Sequence, residues 1–351
     1  MTDTTTVLDF SEPDLVCAKV AVIGSGSWGT AICGLLAPHA GQVVLWARNP
    51  SVAEAINETH HNPRHLSHYE FPANVRATSS MAEAFDGADA AVFAVPSAFL
   101  RGTCEKAAPY VAPELPLLVL TKGIERGSGL LMSDVVASCV GNPARVAALS
   151  GPNHAEEICM GMISAAVIAA PAVELAEYFQ ALVVAPDFRA YASADLVGVE
   201  VCGAVKNVIA IAAGITVGLG AGDNALAALM TRGLAEIGRV LASLGGDPLT
   251  CMGLAGMGDL VATCTSPHSR NRSFGEAFVA GEDLAAYEAR TGMVVEGAEA
   301  VRSVVELANA RGIEVPIARA VHSIIYEGAT MADAVWSLLG RTPHEEFYGM
   351  Q

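Results

Sequence analysis

Positive charge is what this 351-residue chain lacks most: 20 Lys and Arg stand against 37 Asp and Glu, a formal net charge of -17 at pH 7. Nucleic acids are bound through a positive field that displaces counterions, so nucleic acid is excluded as a partner. Small anionic substrates are not excluded, because they answer to local charge. Charged residues of either sign reach only 16% and aromatics only 6%, whereas 52% of the chain is hydrophobic. Such a chain has ample apolar surface to offset its ordering entropy, which rules out intrinsic disorder. At roughly 100 to 200 residues per domain, the length fits two domains.

Other absences narrow the class further. The eight cysteines (17, 33, 104, 139, 159, 202, 251 and 264) contain no CxxC pair and lie singly in apolar stretches. They read as reduced, buried thiols rather than a zinc or disulfide framework. The first sixteen residues carry no apolar core, so they make neither a signal nor a transit peptide. The longest apolar run, 208–222, is fifteen residues with four glycines, short of the about 20 that a membrane span needs. It reads as a buried helix entering a Gly-rich loop. A soluble, cytoplasmic protein without membrane insertion is expected. His60, His61, His65 and His68 suggest a metal cluster, but Pro63 interrupts any helix that would align them and no nearby acid or cysteine completes a set. They are read as a surface loop, with no metal.

What is present falls into two textures. From Lys19 to about Ala192, apolar runs at 20–23, 43–46, 90–95, 117–120 and 146–149 alternate with helix-like segments, and 165–168 and 188–191 could extend the series. Near-continuous apolar strands are those of a parallel sheet covered on both faces, so a doubly wound α/β domain is expected. From about Asp195 the strand signals vanish and helical stripes take over, such as Val301, Val304, Val305 and Ala308 before Gly312. The expected organisation is an unassigned polar tail over 1–16, a Rossmann-type dinucleotide-binding domain over 17–194, an all-helical substrate domain over 195–345 and a short tail over 346–351. A cleft between the two domains would hold the ligands.

The first strand runs into Gly24-Ser25-Gly26-Ser27-Trp28-Gly29 and then an apolar helix. GxGxxG alone is weak among 34 glycines; between a strand and a helix it has the context the mechanism demands. Gly24 permits the tight turn, Gly26 lets the backbone approach pyrophosphate, and Gly29 allows close helix–strand packing. A glycine turn without a ligand is the bland alternative. At the end of the second strand, where an acid would hold the ribose of NAD, the chain has Trp46-Ala47-Arg48-Asn49. Arg48 could pair with a 2′-phosphate, which favours NADP(H) while leaving NAD(H) possible. Lys122 follows a strand end, where open α/β sheets bind ligands. Lys206 sits in an otherwise apolar segment, where desolvation would pull its pKa toward neutrality and suit it to proton transfer. A lysine snorkelling from a helix end is its bland reading.

Taken in order, GSGSWGTA (24–31), TKG (121–123), SGPN (150–153), GAVKNVIAI (203–211), TRGLAE (231–236), AGMGDL (255–260), TCTSPHSRNR (263–272), VVEG (294–297) and LLGR (338–341) resemble the NAD(P)-dependent glycerol-3-phosphate dehydrogenases of bacteria. The resemblance covers about Lys19 to Arg341. It implies a helical second domain like that of 6-phosphogluconate dehydrogenase, a homodimer, and reversible reduction of dihydroxyacetone phosphate to sn-glycerol 3-phosphate, the backbone of phospholipids. By the same resemblance, Lys206 matches the proton donor and acceptor, Lys122 and Asn207 lie near the reacting end, and Asp259 and Thr263 are polar partners there. Arg270 and Asn271, with Ser269 beside them, fall on phosphate and cofactor contacts. Ser27, Trp28, Arg48, Ala155, Val294 and Glu296 match cofactor positions, with Lys122 also facing the cofactor, and Gly151 and Asn153 match the substrate loop. The chain departs from the pattern at Asn153-His154, where Ser or Thr followed by Phe is more frequent, and at Cys202, which replaces a frequent glycine. Catalytic roles are thus expected for Lys206, Lys122 and Asp259. The rival readings are a sister dehydrogenase of short hydroxy acids or ketones, and a dinucleotide sensor without catalysis.

Overall fold

The computed structural model describes residues 15–342, 345, 346, 348 and 349. Most of the expected polar tail over 1–16, and part of that over 346–351, therefore lies outside the described residues. Eight strands, β1 (Cys17–Ile23), β2 (Ala40–Trp46), β3 (Val75–Thr78), β4 (Ala90–Phe93), β5 (Leu117–Val119), β6 (Val146–Ser150), β7 (Ser164–Ala169) and β8 (Phe188–Ser193), form one sheet in the order β3-β2-β1-β4-β5-β6-β7-β8. Strands β1 to β6 are all parallel; β7 runs antiparallel to β6 and parallel to β8. Val20 and Val22 of β1 enter one core while Ala21 and Ile23 enter the other. That alternation with both faces buried is why the strands read as unbroken apolar runs.

Strand β3 is absent from the sequence reading. Its four residues, VRAT, include the half-buried Arg76 and pair only with β2 at the sheet edge, so they carry no apolar run. The strand order reverses between β1 and β4, and the glycine loop emerges there, at the crevice where open α/β sheets bind ligands.

The second half is helical from Leu196 on. Asp195 caps the first helix by accepting from the Gly198 amide at 3.0 Å, and the helix runs to Gly218. It is 23 residues long, not the fifteen-residue run read from sequence, because it continues upstream through Lys206. By length and composition it could cross a membrane, yet 89% of its apolar window is buried inside the protein. A helix that is hydrophobic all round is the core of its domain. One buried carboxylate on it, Glu200, accepts from the Ser133 amide at 2.8 Å and from the Ser133 hydroxyl, tying this helix to the Met132–Val140 helix beside the sheet. A second buried acid, Glu236, accepts from the Ile317 and Ala318 amides at 2.8 and 2.9 Å and seats the Pro316–Tyr326 helix.

The Arg270–Val279 helix lies directly on this central helix because both lack side chains at the crossing. A Cβ on Gly214 would stand 2.0 Å from the Arg272 carbonyl oxygen, and one on Gly275 would stand 2.3 Å from that of Ile211. Gly214→Ala tests the crossing. Alanine gains about 1 kcal/mol of helix propensity, but backbone must move to admit it, and overpacking costs about 1–3 kcal/mol. The expected outcome is a lower urea midpoint with weakened substrate binding; a raised midpoint with unchanged KM would show that the crossing does not depend on the missing side chain.

Candidate active site

Four segments far apart in sequence converge at the carboxyl edge of the sheet. Lys122 follows β5, and its loop is fixed by the Thr121 hydroxyl donating to the Val95 carbonyl at 2.7 Å. Gly151 and Asn153 follow β6. Lys206 projects from the middle of the central helix, which approaches the sheet here because residue 203 is glycine: a Cβ there would lie 2.7 Å from Ser150 Oγ and 3.4 Å from Lys122 Cγ. Asp259 comes from a π-helical turn, Leu254–Gly258, that leads into the Asp259–Thr265 helix. Such wide turns often mark functional positions.

Asp259 holds both lysines. Lys122 Nζ donates to its Oδ2 and Lys206 Nζ to its Oδ1, each at 2.7 Å. Lys206 also donates to Thr263 Oγ1 at 2.5 Å, and that hydroxyl donates to Asp259 Oδ1 at 3.2 Å. Lys122 further donates to the Gly151 carbonyl and to Asn153 Oδ1, both at 3.3 Å. The side chains of Lys206, Asp259 and Lys122 are only 7%, 4% and 14% exposed. Burial pulls the Lys206 ammonium down to about 8, with the Lys122 charge acting the same way and Asp259 opposing them. For Asp259, burial favours the neutral acid, but the two ammonium groups outweigh it and hold the carboxyl below its usual range. Two cations on one carboxylate leave a net positive, poorly solvated centre, suited to an oxyanion.

Beside it, Asn153 Nδ2 and His154 Nε2 are buried without a hydrogen-bond partner. Burial and the Lys206 charge keep the His154 imidazole below its usual range. Orphans of this kind are rare in folded proteins, and next to the lysine pair they fit a polar ligand.

A second group forms around the Arg270–Val279 helix. Ser269 caps it, accepting from the Arg272 amide at 3.2 Å, so the Arg270 and Asn271 amides open the helix toward an anion. The Arg270 guanidinium donates to the Val294 carbonyl at 3.1 Å and pairs with Glu296 at 3.7 Å, which gathers three of the expected cofactor residues. The Asn271 amide donates to Asn207 Oδ1 and accepts from the Gly297 amide, both at 2.9 Å. Its side chain is therefore engaged mainly in fixing Asn207, one residue from Lys206. The field of Glu296 reaches Lys206 and links the two groups.

The third group is the glycine loop. Gly24 has φ +116° and abuts Ala94, and a Cβ on Gly29 would stand 1.7 Å from the Gly24 carbonyl oxygen. Nothing lies within 4 Å of where a Cβ on Gly26 would point. The Ser27–Leu36 helix that follows has no side-chain cap and no acid in its first turn, so the amides of Ser27, Trp28 and Gly29 are left for phosphate. Ala155 opens the short Ala155–Cys159 helix nearby and is buried. Arg48 is exposed at the end of β2. These residues fit a dinucleotide.

Sequence reasoning missed the residue that fastens this loop. Asn62, fully buried, donates to the Ser25 carbonyl and to Thr30 Oγ1, both at 2.9 Å, and accepts from the Arg64 and His65 amides. The histidine-rich stretch is thus a strap over the glycine loop. Its His61 ring bonds the Tyr69 carbonyl at 2.9 Å, and burial with the Arg270 and Arg64 charges lowers the His65 pKa. Among the described residues no group of three or more His, Cys, Asp or Glu could hold a metal.

Residues 19–176 match the model of the NAD-dependent glycerol-3-phosphate dehydrogenase N-terminus, and residues 195–336 match that of its C-terminus. The chain belongs to the NAD-dependent glycerol-3-phosphate dehydrogenase family. It is 46% identical over 330 residues to a glycerol-3-phosphate dehydrogenase [NAD(P)+] of Corynebacterium glutamicum strain R, covering 93% of this chain and 99% of the relative. The Thermobifida fusca enzyme of the same name is 46% identical over 334 residues, 95% of this chain and 99% of its own. A crystal structure of glycerol-3-phosphate dehydrogenase from Coxiella burnetii superposes with a TM-score of 0.88 at 36% identity, covering 93% of this chain and all of that one. Family membership and the Rossmann-type sheet make this chain an NAD(P)-dependent oxidoreductase that interconverts dihydroxyacetone phosphate and glycerol 3-phosphate.

Asp259→Asn keeps the shape but removes the charge shared by the lysines. Turnover is expected to fall about 100-fold, the scale of a positioned acid–base group. With the opposing charge gone, the Lys206 inflection in the pH–rate profile moves below about 8. An inflection that stays in place would show that the carboxylate does not set the lysine.

Proposed function

We propose that the protein reduces dihydroxyacetone phosphate to sn-glycerol 3-phosphate with NADPH in preference to NADH, supplying the glycerol backbone of phospholipids, and that Lys206 is the proton donor and acceptor. The observation that carries this is the buried Lys122–Asp259–Lys206 cluster, beside unpartnered polar groups of the loop after β6. When bound, the nicotinamide supplies or takes the hydride. Lys206, as the ammonium, gives its proton to the oxygen that gains charge, and as the amine takes it back in reverse. Lys122 adds positive charge at the same oxygen without transferring a proton. Asp259 and Thr263 orient Lys206, and Asn271 orients Asn207 toward the substrate. Gly151 and Asn153 line the substrate side.

The phosphate is gripped by Arg270 with Ser269 and the amides opening its helix. What supports this is that the Arg270 side chain is 45% exposed, with its guanidinium steadied by the Val294 carbonyl and Glu296. Binding energy gained at this remote group orients the ketone against the lysines. Gly24, Gly26, Ser27, Trp28, Gly29 and Ala155 take the dinucleotide phosphates, and Arg48 takes the 2′-phosphate. We assign the dinucleotide to residues 17–194 and the catalytic helices to 195–345, in a cytoplasmic homodimer.

Lys206→Ala is expected to lose about 100-fold or more of turnover with cofactor affinity nearly unchanged; retained turnover would remove the assignment. In the wild type, ketone reduction needs the ammonium and so declines as pH rises through about 8, while alcohol oxidation needs the amine and increases over the same range. The two directions, followed by NADPH absorbance, should cross there. For Arg48→Ala, weaker NADPH binding with NADH untouched is expected; equal losses would refute the 2′-phosphate role.

A further inference from the structure

We propose that Cys202 and Cys251 form an oxidation site, a buried dithiol that a small peroxide converts into a disulfide, and that closing it lowers turnover. The two sulfurs lie 3.9 Å apart, with residue exposures of 0% and 1%. The backbone around the pair is already held in place. Cys251 belongs to the one-turn helix Pro248–Met252, and both the Asp247 amide (3.0 Å) and the Thr250 hydroxyl (2.5 Å) donate to Asp195 Oδ2 at the start of the central helix. The turn is thereby moored against the helix that carries Cys202. An S–S bond of about 2.0 Å then requires the sulfurs to approach by roughly half their present separation.

The chemistry is asymmetric. Either thiol can donate to the other; with Cys202 as the donor the contact lowers the Cys251 pKa, against burial and the Asp195 and Asp247 charges, and raises that of Cys202. In that arrangement Cys251 is the nucleophile. Its neighbours Leu249 and Met252 are 75% and 66% exposed, so the turn lies at the surface and a local opening admits a small oxidant. The Cys251 thiolate attacks one oxygen of hydrogen peroxide; the O–O bond breaks and hydroxide leaves, giving a sulfenic acid. Cys202 then gives up its proton, its sulfur attacks, and hydroxide leaves again as the S–S bond forms. Two thiols and one peroxide become one disulfide and two waters.

The consequence for turnover rests on the reading of Lys206 and Asp259 given above. Cys202 lies one helical turn before Lys206, on the same face. Cys251 lies just before the π-helical turn that delivers Asp259, and a Cβ on Gly256 of that turn would stand 2.1 Å from the Cys251 carbonyl oxygen. Because the turn is tied to the central helix at Asp195, the strain of closing the S–S bond passes to the π-helical turn packed on Cys251 and displaces the carboxylate relative to both lysines.

The full-length protein with its cofactor is treated with hydrogen peroxide, quenched with a thiol-blocking reagent and digested. The expected product is a peptide pair joined through Cys202 and Cys251, with turnover reduced at least 10-fold and restored by dithiothreitol. Cys202→Ala and, independently, Cys251→Ser should keep their turnover under the same exposure. No joined peptide under conditions that oxidise the partly exposed Cys17 would overturn the site. A joined peptide with undiminished turnover would overturn the coupling to Asp259 while leaving the linkage standing. Failure of the Lys206 assignment would instead appear in Lys206→Ala without peroxide.

Discussion

One carboxylate sets the terms for the rest of the molecule. Asp259 is shared by two ammonium groups at 2.7 Å each, and all three side chains are removed from water. A buried ion pair is costly to assemble, and breaking one by removing a single partner leaves a charge that neither water nor protein satisfies. The cost is met here because three separate parts of the fold fix the partners: the end of β5, the central helix and the π-helical turn. Two ammonium groups on one carboxylate leave a surplus of positive charge at the centre. That surplus suits an anion, so the arrangement that strains the fold also bears on what it can bind.

Much of this was legible in the sequence, for identifiable reasons. Strands covered on both faces cannot hide, and β1, β2, β4, β5 and β6 all read as apolar runs. The glycine loop was legible because its pattern lies between a strand and a helix, and Gly24 and Gly29 each answer a separate steric demand, while Gly26 leaves its side open. Lys206 stood out because a cation in an apolar helix needs a partner. By contrast, β3 escaped because an edge strand need not be apolar, and the direction of β7 leaves no mark in its composition. The central helix was read too short because its polar members, Lys206 and Asn207, look like an end when their partners cannot be seen.

What pattern could not reach was the set of contacts that topology alone creates. That Lys122 shares Asp259 with Lys206 joins positions 137 residues apart. Asn62, beneath the histidine-rich strap, belongs to no motif, yet it satisfies two groups of the glycine loop and its helix. Gly203 reads as a small helical residue and is in fact the clearance that lets the central helix approach Ser150 and Lys122. Asn271, expected at the phosphate, has its amide engaged with Asn207 and Gly297, which turns part of its role from contact to support. The net charge of -17 does not conflict with a phosphorylated substrate, since Lys122 and Lys206 are gathered on one buried carboxylate and make a local positive centre.

Burial and the neighbouring Lys122 charge, against Asp259, bring Lys206 into the range where a lysine can give and take a proton near neutral pH. A nuclear magnetic resonance titration of lysine labelled at Cε, with Lys206→Ala to assign the signal, measures its pKa directly. The expected midpoint for Lys206 is about 8. A midpoint at the ordinary lysine value of 10.5 would contradict this.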